Sequence, residues 1–276
     1  PAEENSGIRF KRTDIPTDIS EPDAAIIQAH AANISESQFR TKLTNKAGYS
    51  VATTEHLLAA CAGMGLDNLL IEIDQEEIPI LDGSSAIFCN LIRDAGLRPQ
   101  RAARKILHVR KPVTVRSGQS WARLEPSEDQ FLTLTARIEF ADEAIGLQAA
   151  SVCLTPGAFH QDIAFARTFG FLHEFETLKE NGYARGGSLE NAIVVNAGQI
   201  MNADGLRCPD EFIRHKLLDA AGDLALAGYR IAGSYKAEKP SHALNHALVK
   251  KLMADTRGWY LENDRSVLQT LSLKSA

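Results

Sequence analysis

The chain has 276 residues, of which 44% are apolar and 24% charged, and its formal net charge is −5 at pH 7. This composition is that of a globular protein with one large domain or two of ordinary size. The net negative charge gives no general reason to expect nucleic acid as a partner. It is compatible with a local basic pocket for a phosphorylated small molecule.

Cysteine use and hydropathy favour a cytoplasmic protein. The four cysteines, Cys61, Cys89, Cys153 and Cys208, form no C-x-x-C pair, and we interpret them as reduced thiols. No apolar run of about 18 residues is present, so the sequence predicts no transmembrane segment. No signal peptide is recognisable. Because the chain starts at Pro1 rather than Met, the sequence is compatible with a segment that precedes it.

The first informative element is a predicted helix in TTEHLLAAC, residues 53–61. Thr53 or Thr54 can cap this helix, which places Glu55 and His56 in its first turn. His56 precedes two leucines and lies on or beside an apolar face, where it is a candidate metal ligand. Glu55 is then placed to accept a proton from an attacking water, or it is a first-turn acid that favours the helix dipole.

Successive strands are predicted over residues 104–140, which are rich in Val, Ile, Leu and Thr and are broken by Pro, Gly and Ser. Gly96 and Pro99 lie just before them, within a cluster of positive charge. We therefore predict a domain boundary near residue 100, between an N-terminal α+β domain (1–100) and a C-terminal α+β domain (101–276).

Thr168 stands out in the stretch FARTFGF, residues 165–171. Its hydroxyl group could donate a hydrogen bond to an oxyanion that forms during a reaction. The alternative interpretation is an ordinary threonine in a strand or a turn.

A mostly apolar helix is predicted in EFIRHKLLDAAGDL, where His215, Asp219 and Asp223 recur every four residues. Side chains at this spacing lie one above the other, about 6 Å apart, so an imidazole and a carboxylate can converge on one metal ion such as zinc. Burying them is costly unless they are paired or metal-bound. A hydrogen bond between His215 and Asp219 on an exposed helix edge is the alternative. Because catalytic zinc usually takes three protein ligands, His56 is the candidate third.

The next predicted helix begins in SHALNHAL, with Ser241 as its cap and His242 in its first turn. Near a metal ion, His242 could act as a general acid or stabilise an oxyanion. Asp223 could hold it protonated, against the unfavourable positive end of the helix. We interpret His246, one turn later, as an ordinary surface or packing residue.

The two halves of the chain resemble each other in their order of elements. Each contains a helix, a glycine-containing stop, a short strand and a second helix opened by serine, and His56 and His215 fall at corresponding places. This pattern predicts a duplicated α+β unit. A chance similarity is the alternative, because helix–strand–helix is a common order.

Six stretches occur in series: TTEHLLAACAGMGLDN, EIPILDGSSAIF, ARTFGF, GGSLENAIVV, DGLRCPDEFIRHKLLDAAGDL and SHALNHAL. Together, from about Gly7 to about Asp255, they closely resemble the UDP-3-O-acyl-N-acetylglucosamine deacetylases, the zinc amidases of lipid A synthesis in Gram-negative bacteria. The resemblance implies two similar α+β domains, each a β-sheet with two packed helices. The helices of both domains would be sandwiched together, with a metal site in the cleft between them and a β-α-β insert near 170–195.

The resemblance also implies roles for individual residues. It implies one Zn²⁺ per chain, with iron as an open alternative, and the implied metal ligands are His56, His215 and Asp219. The implied catalytic residues are the general base Glu55, the general acid or electrostatic partner His242, its neighbour Asp223, and the oxyanion donor Thr168. The implied substrate contacts are Lys216 near the sugar and phosphates, Phe140 near the uridine, and Phe169 and Phe171 toward the acyl chain.

The implied reaction is hydrolysis of the N-acetyl group of a UDP-linked acylated amino sugar, with release of acetate, by a cytoplasmic monomer. Two departures from the family pattern are expected to matter. Members of the family normally have a further strand pair before the point that corresponds to Pro1. They also usually have glycine at the position of Ser241. An amidohydrolase for another acylated amino sugar and a truncated, non-catalytic zinc-binding homologue are therefore the alternatives.

Overall fold

The computed structural model of the protein describes residues 1–16, 23–180 and 186–264. In the first half of the chain, the strands are β1 (Ile8–Arg12), β2 (Ile26–Gln28), β3 (Ile34–Glu36), β4 (Lys42–Thr44), β5 (Ser50–Val51) and β6 (Leu69–Ile73). The helices of this half are α1 (Glu55–Gly63) and α2 (Ala86–Ala95). β1 lies between antiparallel β2 and parallel β6, while β3, β4 and β5 form a separate antiparallel sheet.

The second half contains the larger sheet. Its strands are β7 (Arg104–Val109), β8 (Val113–Ser117), β9 (Ser120–Glu125), β10 (Leu132–Glu139), β11 (Leu147–Cys153), β12 (Phe169–Phe171), β13 (Ile193–Asn196), β14 (Gln199–Ile200), β15 (Arg230–Glu238) and β16 (Trp259–Asp264). Its helices are the short α3 (Pro156–Ala158), followed by a π-helical turn (Phe159–Ile163), then α4 (Leu172–Glu180), α5 (Glu211–Ala225) and α6 (His242–Ala254).

β15 is the centre of the larger sheet. It pairs in parallel with β10 and β7 and in antiparallel with β9, so the sheet runs β11–β10–β15–β7–β16, with β8 and β9 attached through β15. The alternation of buried and half-buried residues along β10 reflects the two-residue period of a strand with one face in the core. The strands predicted over residues 104–140 are confirmed.

The predicted order of helix, strand and helix occurs in both halves as α1–β6–α2 and α5–β15–α6. Ser241 caps α6 by accepting a hydrogen bond from the backbone N–H of Leu244. Thr54, one of the two threonines predicted as the cap, occupies the N-cap position of α1, but its side chain makes no cap bond, because its hydroxyl donates to the carbonyl oxygen of Thr41 at 3.3 Å. Residues 96–103 form no helix or strand, and we propose the domain boundary there.

Helices α1 and α5 pack directly against each other, and this contact positions the candidate site. A Cβ atom added at Gly222 of α5 would lie 2.0 Å from the carbonyl oxygen of Glu55 in α1, so only glycine permits this approach. Buried apolar residues of the two halves form one continuous core around the contact. The helix-against-helix arrangement that the sequence resemblance implies is therefore present.

A small β-α-β unit follows the π-helical turn. β12 and β13 pair in parallel, with α4 between them in sequence, and β14 pairs with β13 in antiparallel. This unit is the insert expected near 170–195, of which residues 181–185 lie outside the described part of the chain. No helix among the described residues is long and apolar enough to cross a membrane.

Candidate metal centre

Three buried residues, His56 of α1 with His215 and Asp219 of α5, form a group that we call the triad. One potential ligand atom from each lies within 4.8 Å of the other two. Asp219 Oδ1 is 3.2 Å from His215 Nε2 and 3.8 Å from His56 Nε2, and the two imidazole rings meet edge to face. The structure therefore brings together the three residues that the sequence analysis proposed as ligands.

The hydrogen bonding of the triad fits a metal ion. His215 Nδ1 donates to the carbonyl oxygen of Ala166 at 3.0 Å, which fixes the tautomer and leaves Nε2 as a free electron-pair donor. Asp219 Oδ1 and His56 Nδ1 are buried and have no hydrogen-bond partner in the described part of the chain. Buried polar atoms without partners are costly, and a divalent cation held by His56 Nε2, His215 Nε2 and Asp219 Oδ1 would remove this cost at the carboxylate.

Protonation states in the triad also suit a cation. Burial and the neighbouring His215 lower the pKa of His56 to about 3, so its ring is neutral at physiological pH. Burial opposes the ionised form of Asp219, but His215 and Lys216 outweigh it and hold the pKa of this carboxyl well below its usual range. A neutral His56 imidazole and an ionised Asp219 carboxylate are the forms of these two groups that bind zinc.

Glu55 precedes His56 at the start of α1 and is almost completely buried. Its Oε2 accepts a hydrogen bond from the backbone N–H of Thr41 at 3.0 Å, and its Oε1 lies 3.9 Å from His242 Nε2. Burial raises the pKa of Glu55 to about 7, with the charge of His242 opposing the rise. A carboxyl group with this pKa can gain and lose a proton near neutral pH.

His242 forms the opposite member of an acid–base pair. Its Nδ1 donates to Asp223 Oδ2 at 2.8 Å, and its Nε2 lies 4.0 Å from Asp219 Oδ2. Burial lowers the pKa of His242, but the charge of Asp223 outweighs burial and raises it to about 10. The imidazolium form is therefore present at neutral pH, despite the position of His242 in the first turn of α6.

His246 was interpreted from the sequence as a surface or packing residue, and this interpretation is wrong. It is buried, and its Nε2 donates to Asp223 Oδ1 at 3.0 Å. His246 lies four residues after His242 on α6, so the spacing that identified His215 and Asp219 was also a signal here. We call Asp223, His242 and His246 the Asp223 cluster.

Thr41 is a site residue for which the sequence carried no signal. It lies in the loop between β3 and β4, is completely buried, and donates its hydroxyl hydrogen to Asp223 Oδ1 at 2.7 Å. Together with its backbone bond to Glu55, this contact links the two carboxylates of the candidate site. A threonine in a polar loop gives no periodicity from which such a contact could be predicted.

Aromatic and basic side chains adjoin the triad. The Phe169 ring is 6.3 Å from the His215 ring, Phe140 packs against both Phe169 and Phe171, and Lys216 Nζ lies 5.4 Å above Phe169. A cavity of about 200 Å³ lies beside this group, and its lining residues are Ile138, Glu139, Phe140, Lys216, Lys239 and Pro240. Lys239 was not identified from the sequence.

Thr168 is positioned by a buried ion pair. Arg167 Nε donates to Glu211 Oε1 at 2.9 Å, and the backbone N–H of Arg167 donates to the same oxygen. This pair fixes the segment whose Ala166 carbonyl contacts His215, and Thr168 follows as a half-buried residue before β12. Among the described residues, the Thr168 hydroxyl makes no hydrogen bond to the triad.

Comparison with known proteins gives a consistent result. A model of the UDP-3-O-acyl N-acetylglycosamine deacetylase family matches residues 1–254. A UDP-3-O-acyl-N-acetylglucosamine deacetylase of Shewanella frigidimarina is 43% identical over 261 residues, which cover 95% of this chain and 83% of the relative. The same enzyme of Shewanella baltica is 43% identical over 263 residues, with the same shares of each chain.

Proposed function

This chain belongs to the UDP-3-O-acyl N-acetylglycosamine deacetylase family, and from that membership we propose that it hydrolyses the N-acetyl group of UDP-3-O-acyl-N-acetylglucosamine in lipid A biosynthesis. The observation that carries this proposal is the buried triad beside an acid–base pair. Glu55 Oε1 and His242 Nε2 are 3.9 Å apart, and His242 Nε2 is 4.0 Å from Asp219 of the triad. The free cysteines fit the reducing cytoplasm as its location.

We assign His56, His215 and Asp219 as the ligands of one Zn²⁺ per chain. Two imidazoles and one carboxylate are a donor set that catalytic zinc takes, and the unpaired Asp219 Oδ1 supports this assignment. Zn²⁺ bound there would supply Lewis acidity, which lowers the pKa of water and polarises the amide carbonyl of the substrate.

Glu55 is the proposed general base. Its carboxylate takes a proton from the water that attacks the acetamide carbon, and a pKa of about 7 suits this transfer. The backbone N–H of Thr41 holds Oε2 and leaves Oε1 toward His242. Since Glu55 precedes His56 directly, the first turn of α1 positions both the base and a metal ligand.

His242 is the proposed general acid. Its imidazolium, maintained by Asp223, stabilises the negative oxygen of the tetrahedral intermediate and gives its Nε2 proton to the amine as the C–N bond breaks. Acetate and the free amino sugar are then the products. We assign the Thr168 hydroxyl as a second donor to the oxyanion, on the basis of the family resemblance and its place two residues after Ala166.

The cavity beside the triad is the proposed site for the nucleotide part of the substrate. Lys216 and Lys239 are cations that suit a diphosphate, and Phe140 offers a ring against which uracil can stack. Phe169 and Phe171 lie next to Phe140 and begin the β-α-β insert, where an apolar acyl chain would find aromatic neighbours.

Acetate release from UDP-3-O-acyl-N-acetylglucosamine by the full chain tests the proposal. We expect release that a chelator abolishes and added Zn²⁺ restores, and a much slower reaction with the analogue that lacks the 3-O-acyl chain. Glu55→Gln is the matched control, because it should keep the metal and lose the reaction. Equal rates with and without the acyl chain would favour an amidohydrolase for another amino sugar. Zinc binding without any acetate release would indicate a non-catalytic homologue.

A further inference from the structure

Asp223 accepts two hydrogen bonds at each carboxylate oxygen, which leaves it no freedom to rotate. Oδ2 accepts from His242 Nδ1 at 2.8 Å and from Asn245 Nδ2 at 2.9 Å. Oδ1 accepts from Thr41 Oγ1 at 2.7 Å and from His246 Nε2 at 3.0 Å. All of these groups are buried, and four donors match the four lone-pair directions of a carboxylate.

Two of the three partners on α6, Asn245 and His246, are themselves held by residues outside this helix. Tyr235 donates its hydroxyl hydrogen to Asn245 Oδ1 at 2.6 Å, which orients the Asn245 amide so that its nitrogen faces Asp223. Ser37 Oγ lies 2.6 Å from His246 Nδ1. Because the ionised Asp223 only accepts, His246 Nε2 carries a hydrogen, and Ser37 holds the other ring nitrogen.

We propose that His246 is a positioning residue for the reaction, which acts by fixing Asp223 so that Oδ2 stays aligned with His242. This inference rests on the proposed function, in which His242 is the general acid. His242 and His246 are one turn apart on α6, with nearly parallel rings whose centroids are 6.1 Å apart, and each binds a different oxygen of the same carboxylate. Without the bond from His246, only Thr41 holds Oδ1, and Asp223 gains freedom to turn away from His242.

In this scheme His246 does not bind the metal ion that the triad would hold. Both of its ring nitrogens are occupied, by Asp223, Thr41 and Ser37. A substitution at this position should therefore leave metal binding unchanged and act on turnover. A residue that only packs would affect stability instead.

The test compares His246→Gln with His246→Asn in the metal-loaded full chain. The Gln amide nitrogen reaches the place of Nε2 and can still donate to Asp223, whereas the shorter Asn amide cannot. We expect His246→Asn to lower kcat roughly 10- to 100-fold, which is the usual effect of losing one hydrogen bond to a buried charge, with KM and metal content unchanged. His246→Gln should retain most of the wild-type kcat.

Val249→Ala is the control for lost packing on α6, since Val249 is buried and apolar. It should lower the melting temperature and leave kcat close to that of the wild type. Equal kcat values in the Asn and Gln variants would overturn the proposal, whether both were normal or both were impaired.

Proton NMR separates a failure of this inference from a failure of the proposed function. The His242 Nδ1 hydrogen, bonded to Asp223, should give a downfield resonance in the wild type and in His246→Gln that shifts or broadens in His246→Asn. This readout does not require turnover. An unchanged resonance in His246→Asn would contradict the positioning role, whereas an absence of acetate release by the wild type would contradict the proposed function.

Discussion

The triad and the Asp223 cluster adjoin each other along α5 and contain the same residue types, but they differ in how completely their carboxylates are hydrogen-bonded. The triad and the Asp223 cluster each contain two histidines and one aspartate, all buried, with ligand atoms close enough for one cation. In the triad, Asp219 Oδ1 has no hydrogen-bond partner among the described residues. In the Asp223 cluster, both carboxylate oxygens are fully bonded to donors.

This difference shows that residue type and proximity alone do not define a metal site. Carboxylate oxygens and ring nitrogens that already have hydrogen bonds would have to lose them before they could bind a cation. The unpaired Asp219 Oδ1 of the triad would instead gain a partner. We infer that the triad binds the metal and that the Asp223 cluster sets the charge and orientation of His242. Substitutions in the two groups should therefore have different signatures.

Substitution of a triad residue should have the largest effect. His215→Ala removes one proposed ligand, and we expect both the loss of stoichiometric metal and a fall in acetate release of roughly 10⁴-fold. Metal analysis after dialysis and a steady-state assay give the two values. Full metal content in this variant would contradict the distinction between the two groups.

Glu55→Gln should have the next largest effect, because it removes the proposed base and keeps the shape of the side chain. We expect kcat to fall about 10³-fold, with metal content and melting temperature near wild-type values. The same metal analysis and assay apply. A loss of metal in this variant would mean that Glu55 is a ligand rather than a base.

The pH dependence of kcat tests the Asp223 cluster. Glu55 acts when deprotonated, so activity should rise as pH passes its pKa of about 7, or below this value if a bound cation favours the carboxylate. His242 acts when protonated, so activity should fall as pH passes its pKa of about 10. We expect a bell-shaped profile with a plateau between these limbs.

Asp223→Asn should move the falling limb of this profile more than the rising limb, because Asp223 contributes less to the pKa of Glu55. The charge of Asp223 is the main cause that raises the pKa of His242, so its removal should shift that limb to lower pH and reduce kcat about 10- to 100-fold. Metal content should stay the same. His242→Ala should remove the falling limb, and an unchanged bell in that variant would exclude His242 as the acid.

Gly222→Ala changes no ionisable group and should act through the packing of α1 against α5, with a measurable effect on folding. The added methyl group meets the carbonyl oxygen of Glu55 at 2.0 Å, so α1 and α5 must separate. We expect a loss of about 1–3 kcal/mol in the free energy of unfolding, measured by denaturant titration. Gly157→Ala is the matched control, because an added Cβ there has no neighbour within 4 Å. Equal stability of the two variants would contradict the close contact.

Local sequence patterns predicted the parts of the site that depend on a single helix. The four-residue spacing of His215, Asp219 and Asp223 follows from helix geometry, and the structure places all three in the buried part of α5. The strands over residues 104–140 could also be predicted, because their apolar composition and the turn residues between them are local features of the sequence.

Contacts between distant segments could not be predicted in this way. Thr41 bonds Asp223, which is 182 residues away, and no periodicity encodes such a pair. Thr54 takes the predicted N-cap position without a side-chain cap bond, because its hydroxyl donates to the carbonyl oxygen of Thr41 instead. His246 was misinterpreted because its partner Asp223 lies on another helix, 23 residues earlier in the chain.

Anomalous diffraction at the zinc absorption edge, from crystals of the zinc-loaded protein, tests the central claim most directly. We predict a single strong peak within bonding distance of His56, His215 and Asp219, and none at the Asp223 cluster. A peak between Asp223, His242 and His246, or a triad without a peak in an active preparation, would contradict the account.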